Sequence, residues 1–373
     1  MTAPQFATEQ RAGQFVRQAN RFTDRITRDS DAAPGEGPDE RGRWPVEPGR
    51  YRLVWSRACP WAHRAVIVRA LLGLTGAISL ATVDPIRDER GWAFTGGEYT
   101  DPVNGFRFLG QAYAANDPGY DDRLSVPVLW DKETHRIVNN ESADILRMYT
   151  TAFDGLATRE FDLWPEPHRD AIDALNVRLY EDVNNAVYAA GFSRDQADYE
   201  RIVRTMFATL DEIDARLAER RFLFGDAPVE TDWRLFTTLL RFDAVYNIHF
   251  KCSLRRVADY PNLWPYARDL YQWPGIAATV RFDDIRRHYY LTHGSINPSR
   301  IVAVAPDEDW DAPHGRGERL SVPGFASSAR CVVRGRRPAG SAARGRGGGA
   351  GCGARGRPGL SRSAASPCGG PVT

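Results

Sequence analysis

The stretch from Tyr51 to Val83 constrains the fold more than any other part of the chain. YRLVW reads as a short strand, SRACP turns the chain, WAHRAVIVRALLGL carries apolar residues at helical spacing, and ISLATV at 78–83 reads as a second strand. A strand, helix, strand unit of this length returns its second strand beside the first and parallel to it, because parallel neighbours need a crossover of about a dozen residues or more. The chain therefore opens an α/β sheet here. A thiol, Cys59, stands where the first strand gives way to the helix.

Residues 84–122 are rich in Gly, Asp, Tyr and Pro and are longer than an ordinary connection, which points to a functional loop or a disordered one. LSVPVLWDKETHRIVNNES then reads as two short strands around a turn at Asp131 to Thr134, followed by a helix from about Ala143 to Thr150. Beyond Trp164 almost only helical periodicity remains, with Ile202, Val203, Met206, Phe207, Leu210, Ile213 and Leu217 on one stripe. The expected organisation is an extension over 1–50, an α/β domain over 51–155, an all-helical domain over 160–315 and a tail over 317–373. The extension is polar and broken by Pro and Gly, so it is expected to run over the surface, partly docked. The tail, GRRPAGSAARGRGGGAGCGARGRPGLSRSAASPCGGPVT, has almost no large apolar residue and is expected to be low-complexity and disordered. It lacks interleaved aromatics, which disfavours a nucleic-acid-binding role.

Composition narrows the function. At 373 residues the chain can bury two cores, and its 49 basic residues nearly cancel 48 acidic ones, leaving a net charge of +1. No overall field gathers nucleic acid or an anionic membrane, so the expected partner is a small molecule. The five cysteines, at positions 59, 252, 331, 352 and 368, form no CxxC pair and no Cys/His spacing for a tetrahedral metal. Neither a metal site nor a disulfide framework is expected. The first residues lack the apolar stretch of a secretory signal, and no run approaches a membrane span of roughly 18 apolar residues. The expected setting is a reducing cytoplasm, where a thiol stays free to react.

Three cues carry the chemistry. Cys59 precedes Pro60, a residue suited to the first helical position, so its sulfur faces the free N–H groups of a helix start, which favour the thiolate. Arg57 and His63 stand close enough in sequence to add to this. The second cue is Ser125-Val126-Pro127-Val128: a proline before an apolar strand blocks one ladder bond, is a candidate for the cis isomer, and leaves the Val126 backbone for an extended peptide ligand. The third is Asn140-Glu141-Ser142 at a helix start, where backbone N–H groups bind a carboxylate. The first and third have plain alternatives, a buried structural cysteine and an ordinary N-cap at Ser142. In this order they resemble the glutathione site of a thioredoxin-fold transferase domain.

Cys59-Pro60-Trp61-Ala62-His63-Arg64, NIHFKCSLRR at 247–256, DYPNLWPYARDLYQWPG at 259–275 and RRHYYLTHGSINPSRIV at 286–302 resemble the glutathionyl-hydroquinone reductases, the Xi class of glutathione transferases, over about Asn20 to Arg316. The resemblance implies a thioredoxin-like N-terminal domain followed by a helical glutathione-transferase C-terminal domain, in a homodimer. It implies reduction of glutathionyl-hydroquinones through a Cys59-glutathione mixed disulfide that a second glutathione resolves, glutathione being a co-substrate and no metal taking part. Glutathione is then expected at Trp92, at Arg123, Leu124, Ser125 and Val126, and at Glu141 with Ser142. Tyr188 is expected as the proton donor to the leaving ring, with Tyr246 and Tyr289 helping to keep Cys59 ionised. Val229 departs from the family by standing where a hydroxyl often caps the helix. The alternatives are an omega-type thiol transferase or dehydroascorbate reductase using the same Cys59, and a non-enzymatic binding module.

Overall fold

The computed structural model describes residues 9–11 and 13–319. The tail expected to be disordered lies almost wholly outside the described residues. The sheet has four strands: β1 (Tyr51–Trp55), β2 (Ile78–Thr82), β3 (Val128–Asp131) and β4 (Arg136–Asn139), in the spatial order β4-β3-β1-β2. β1 and β2 are parallel with Leu53 opposite Leu80, as the crossover requires, and β1 and β3 are antiparallel with Leu53 opposite Leu129.

The crossover helix α1 (Pro60–Leu71) begins at Pro60, whose missing N–H costs nothing at a helix start. It is buried nearly all round, because α3 (Ser142–Thr151) lies against it from one side and α7 (Glu230–Arg241) from the helical half. The 84–122 stretch carries a two-strand ribbon, Arg87–Asp88 against Gly91–Trp92, and a short helix α2 (Gly110–Asn116). It is an ordered wall of the molecule.

The helical half runs through α4 (Arg169–Leu179), α5 (Ala186–Phe192), α6 (Gln196–Leu217), α7, α8 (Leu263–Tyr271) and α9 (Phe282–Thr292). On α6 the expected stripe is buried from Val203 to Leu217, with Ile202 at its half-buried edge. Each such side chain contributes about 1.5–3 kcal/mol against leaving it in water. Val229 precedes α7 and has no side-chain oxygen to offer; the helix start is closed from the other direction, Asp232 accepting from the Val229 amide at 2.8 Å. Two π-helical turns, Tyr180–Asn184 before α5 and Phe242–Tyr246 after α7, each widen the helix and re-aim the chain beyond it.

The N-terminal segment docks more closely than its composition suggests. Phe15 is buried against Phe192, the Gly13 carbonyl accepts from the Arg194 amide at 3.2 Å, and Asn20 donates to Glu141 at 2.7 Å. The Phe22 carbonyl accepts from the Asn140 amide at 2.9 Å. One strand of chain thus touches both the sheet's loops and α5. Buried side chains of the two halves merge in one core.

Candidate active site

Cys59 is the residue before α1, in extended backbone conformation, and its half-buried Sγ lies 3.4 Å from the Val126 carbonyl oxygen. The Val126–Pro127 peptide is cis, and the Val126 amide has no hydrogen-bond partner among the described residues. A strand-like ligand entering beside Cys59 finds that amide ready to pair. Three guanidiniums, that of buried Arg64 and those of half-buried Arg87 and Arg123, are near enough for a negative charge on Cys59 to raise their proton affinity. Burial works against them, pushing Arg64 down to about 9 and Arg87 to about 10.

The two cations expected beside Cys59 are placed otherwise. Arg57 turns to carboxylates, 2.8 Å from Glu98 and 3.4 Å from Asp284. His63 is fully buried, bonded to Thr279 Oγ1 at 2.8 Å, and burial with the neighbouring Arg241 drives its pKa well below the usual range. A neutral imidazole lends Cys59 no charge.

A cleft with about 480 Å³ of empty space brings Cys59 together with Trp92, Arg123, Ser125, Val126, Tyr188 and Tyr289. The expected site residues Leu124, Glu141, Ser142 and Tyr246 stand outside its lining. Trp92 is stacked on His288, ring centroids 5.0 Å apart, with the Arg87 guanidinium 5.0 Å from its ring. Arg123 lies 3.2 Å from the carboxylate of fully buried Glu9, an acid from the N-terminal segment. Ser125 accepts from the Tyr113 hydroxyl at its carbonyl, 2.8 Å. Leu124 backs the wall: a Cβ on Gly91 would come within 2.9 Å of it. The N-cap of α3 is Glu141, accepting from the Ala143 amide at 3.0 Å, and Ser142 is the first helical residue, so the alternative of Ser142 as a plain N-cap gives way to a cap one residue earlier.

The three expected tyrosines meet through their hydroxyls: Tyr188 to Tyr289 at 2.6 Å, Tyr246 to Tyr289 at 3.0 Å and Tyr188 to Tyr246 at 3.4 Å. Phe250 lies flat against Tyr246, centroids 5.6 Å apart at 6°. Burial raises the pKa of all three phenols, so they stay neutral and able to donate. For Tyr188 a negative charge on Cys59 would add to the effect. The three hydroxyls are engaged with one another, while Cys59 Sγ makes its hydrogen bond to the Val126 carbonyl.

Five further residues of the lining went unassigned in the sequence: Arg17, Trp61, Arg87, His288 and His293. Trp61 lies in the Cys59–Arg64 motif, and His288 and His293 lie in the 286–302 segment, so a signal for them existed. Arg17 comes from the polar extension, where nothing local singles it out. Burial holds His288 at about 3 and pushes His293 well below its usual value, so both are neutral. Among the described residues no three His, Cys, Asp or Glu side chains converge as a metal would require, and no helix is long and apolar enough to cross a membrane.

A thiol at the first helix of a thioredoxin-like sheet, a cis proline beside it, and a helical half that walls the same cleft are the architecture of a glutathione transferase. The family model for the glutathione S-transferase N-terminal domain matches residues 58–152, and that for the C-terminal domain matches residues 196–269. Glutathionyl-hydroquinone reductase YqjG of Escherichia coli (strain K12) is 45% identical over 318 residues, covering 84% of this chain and 96% of its own. Glutathionyl-hydroquinone reductase PcpF of Sphingobium chlorophenolicum is 46% identical over 262 residues, covering 70% and 84%. Among solved structures, glutathione-bound YqjG superposes with a TM-score of 0.76 at 45% identity over 80% of this chain and 97% of that one. A Xi-class transferase from Natrialba magadii gives 0.76 at 46% identity over 80% and 90%. The chain belongs to the glutathione transferase superfamily and, within it, to the Xi-class glutathionyl-hydroquinone reductases.

Proposed function

We propose that this chain reduces glutathionyl-hydroquinones to hydroquinones, with glutathione as co-substrate and Cys59 as nucleophile. The Cys59 thiolate attacks the sulfur of the conjugate, forming a Cys59-glutathione disulfide as the carbon–sulfur bond breaks. Before the bond breaks, the sulfur-bearing carbon takes a proton from the Tyr188 hydroxyl as a ring hydroxyl gives up its own, so the bond's electron pair passes to the carbonyl oxygen so formed, which is then protonated to the hydroquinone; Tyr246 and Tyr289 keep the Tyr188 phenol hydrogen-bonded and share the charge it acquires. A second glutathione then attacks the mixed disulfide, giving oxidised glutathione and the free Cys59 thiolate, and its thiol proton balances the one the ring took. Resolution from outside suits the chain, because Cys252, the other cysteine of the described residues, is fully buried.

The observation that carries this reading is the tyrosine triangle: Tyr188 and Tyr289 line the same cleft as Cys59 and stand 2.6 Å apart. Chemistry on a disulfide alone needs no such proton donor. For the tripeptide, the reading assigns the Val126 backbone to peptide pairing, Glu141 and Ser142 to its amino-acid end, Trp92 to packing, and Arg123 to its other carboxylate, with Leu124 and Ser125 shaping the wall. A homodimer in a reducing, cytoplasmic setting is the proposed form. Turnover of a glutathionyl-hydroquinone with glutathione, wild type beside Cys59→Ala, tests it: hydroquinone release that vanishes in the variant is expected. A wild type inert on the conjugate but active on a small glutathione mixed disulfide would point to a general thiol transferase.

A further inference from the structure

Arg17 is the feature of the cleft that the reaction above leaves without a role. It reaches the lining from the N-terminal segment, and its Nε donates to Asn185 Oδ1 at 2.7 Å, at the start of α5. Its guanidinium carbon lies 4.9 Å from the ring centroid of Trp61 and 4.9 Å from that of Tyr188, while those two rings are 6.3 Å apart and inclined at 30°. The cation therefore sits astride the gap between two aromatic faces. Among the described residues it has no carboxylate partner, and its terminal nitrogens have no hydrogen-bond partner. A half-buried guanidinium held by one neutral bond, in a cleft beside the nucleophile and the phenol, is a cation waiting for an anion.

We propose that Arg17 binds the ring oxygen of the aromatic acceptor and so makes the N-terminal segment part of the active site. The inference rests on the reductase reading. Once the sulfur-bearing carbon has taken its proton and the ring stands in its keto form, the carbon–sulfur bond projects out of the ring plane, so its electron pair passes on cleavage to the conjugated carbonyl and negative charge gathers on that oxygen until it is protonated. Arg17 stabilises that charge with a planar, permanently ionised donor. The site thereby selects acceptors with an oxygen conjugated to the sulfur-bearing carbon; a disulfide, whose leaving sulfur carries its own charge, draws nothing from Arg17.

The test compares two substrates of one nucleophile. Wild type, Arg17→Met and Arg17→Lys are assayed on a glutathionyl-hydroquinone and on the mixed disulfide of glutathione with 2-mercaptoethanol. In Arg17→Met the ratio of kcat/KM for the conjugate to that for the disulfide should fall about 10- to 100-fold, the loss of one charge-assisted hydrogen bond, with partial recovery in Arg17→Lys. Equal losses on both substrates would mean a structural role, and no loss on either would mean no role; each overturns the inference. A wild type inert on the conjugate yet active on the disulfide would instead remove the reductase reading, and this inference with it.

Discussion

The hydroxyls of Tyr188 and Tyr289 stand 2.6 Å apart although 101 residues of chain separate them. α5 and α9 bring them together, and the second π-helical turn ends on Tyr246, which closes the triangle at 3.0 Å from Tyr289. Removing the Tyr188 hydroxyl takes away the proposed proton donor without opening a cavity. Tyr188→Phe should lower kcat on a glutathionyl-hydroquinone by about 100-fold or more, while Tyr289→Phe, which removes two supporting hydrogen bonds, to Tyr188 and to Tyr246, should lose roughly tenfold. Steady-state kinetics on both variants check the order.

Gly191 holds the triangle in place by having no side chain. A Cβ there would meet Phe250 at 2.2 Å, and Phe250 packs on both Tyr188 and Tyr246. Gly191→Ala must displace that ring, at a cost of about 1–3 kcal/mol in stability, and should reduce conjugate turnover as well. Chemical denaturation read beside activity tests this; full activity with unchanged stability would contradict it.

The described cysteines differ sharply in exposure. Cys252 is fully buried, and burial pushes its thiol far above the ordinary cysteine range, while Cys59 faces the cleft. A brief pulse of iodoacetamide on native protein, followed by peptide mapping, should modify Cys59 and leave Cys252 untouched.

Much of the sheet and part of the site were legible in the sequence, for physical reasons that can be named. The strand, turn and helix around Cys59 advertise themselves through local periodicity and Pro60, and the proline at 127 marks the strand edge beside them. The tyrosines and Trp92 were expected from the family resemblance. Arg17 and Glu9 were not, because a polar segment with no periodicity says nothing of where it docks, and their partners Asn185 and Arg123 are more than a hundred residues away. The charges expected around Cys59 from Arg57 and His63 failed likewise, since only the fold shows that one faces carboxylates and the other is buried beside Arg241. The π-helical turns have no signal in side-chain spacing.

Asp232 gives the fold a pH dependence of unusual sign. Burial raises its carboxyl to about 6, against hydrogen bonds from the Leu223 and Val229 amides and the Tyr266 hydroxyl that lower it. The folded state therefore binds the proton more tightly than the unfolded one. The stabilisation is full below about pH 4 and is lost as pH rises through about 6. The stability advantage of wild type over Asp232→Asn, which cannot titrate, should shrink by roughly 1 kcal/mol between pH 5 and pH 8. Denaturation curves at the two pH values decide it, and an advantage that grows with pH would contradict the assignment.

The central claim, that Cys59 takes the glutathionyl group from the aromatic ring, is tested most directly by a single turnover without free glutathione. Purified protein is mixed with excess glutathionyl-hydroquinone, and intact mass, peptide mapping and released hydroquinone are read together. The predicted result is one glutathionyl group per chain, mapped to Cys59, with one equivalent of hydroquinone released. Release of hydroquinone with Cys59 unmodified, or a glutathionyl group on another residue, would contradict it.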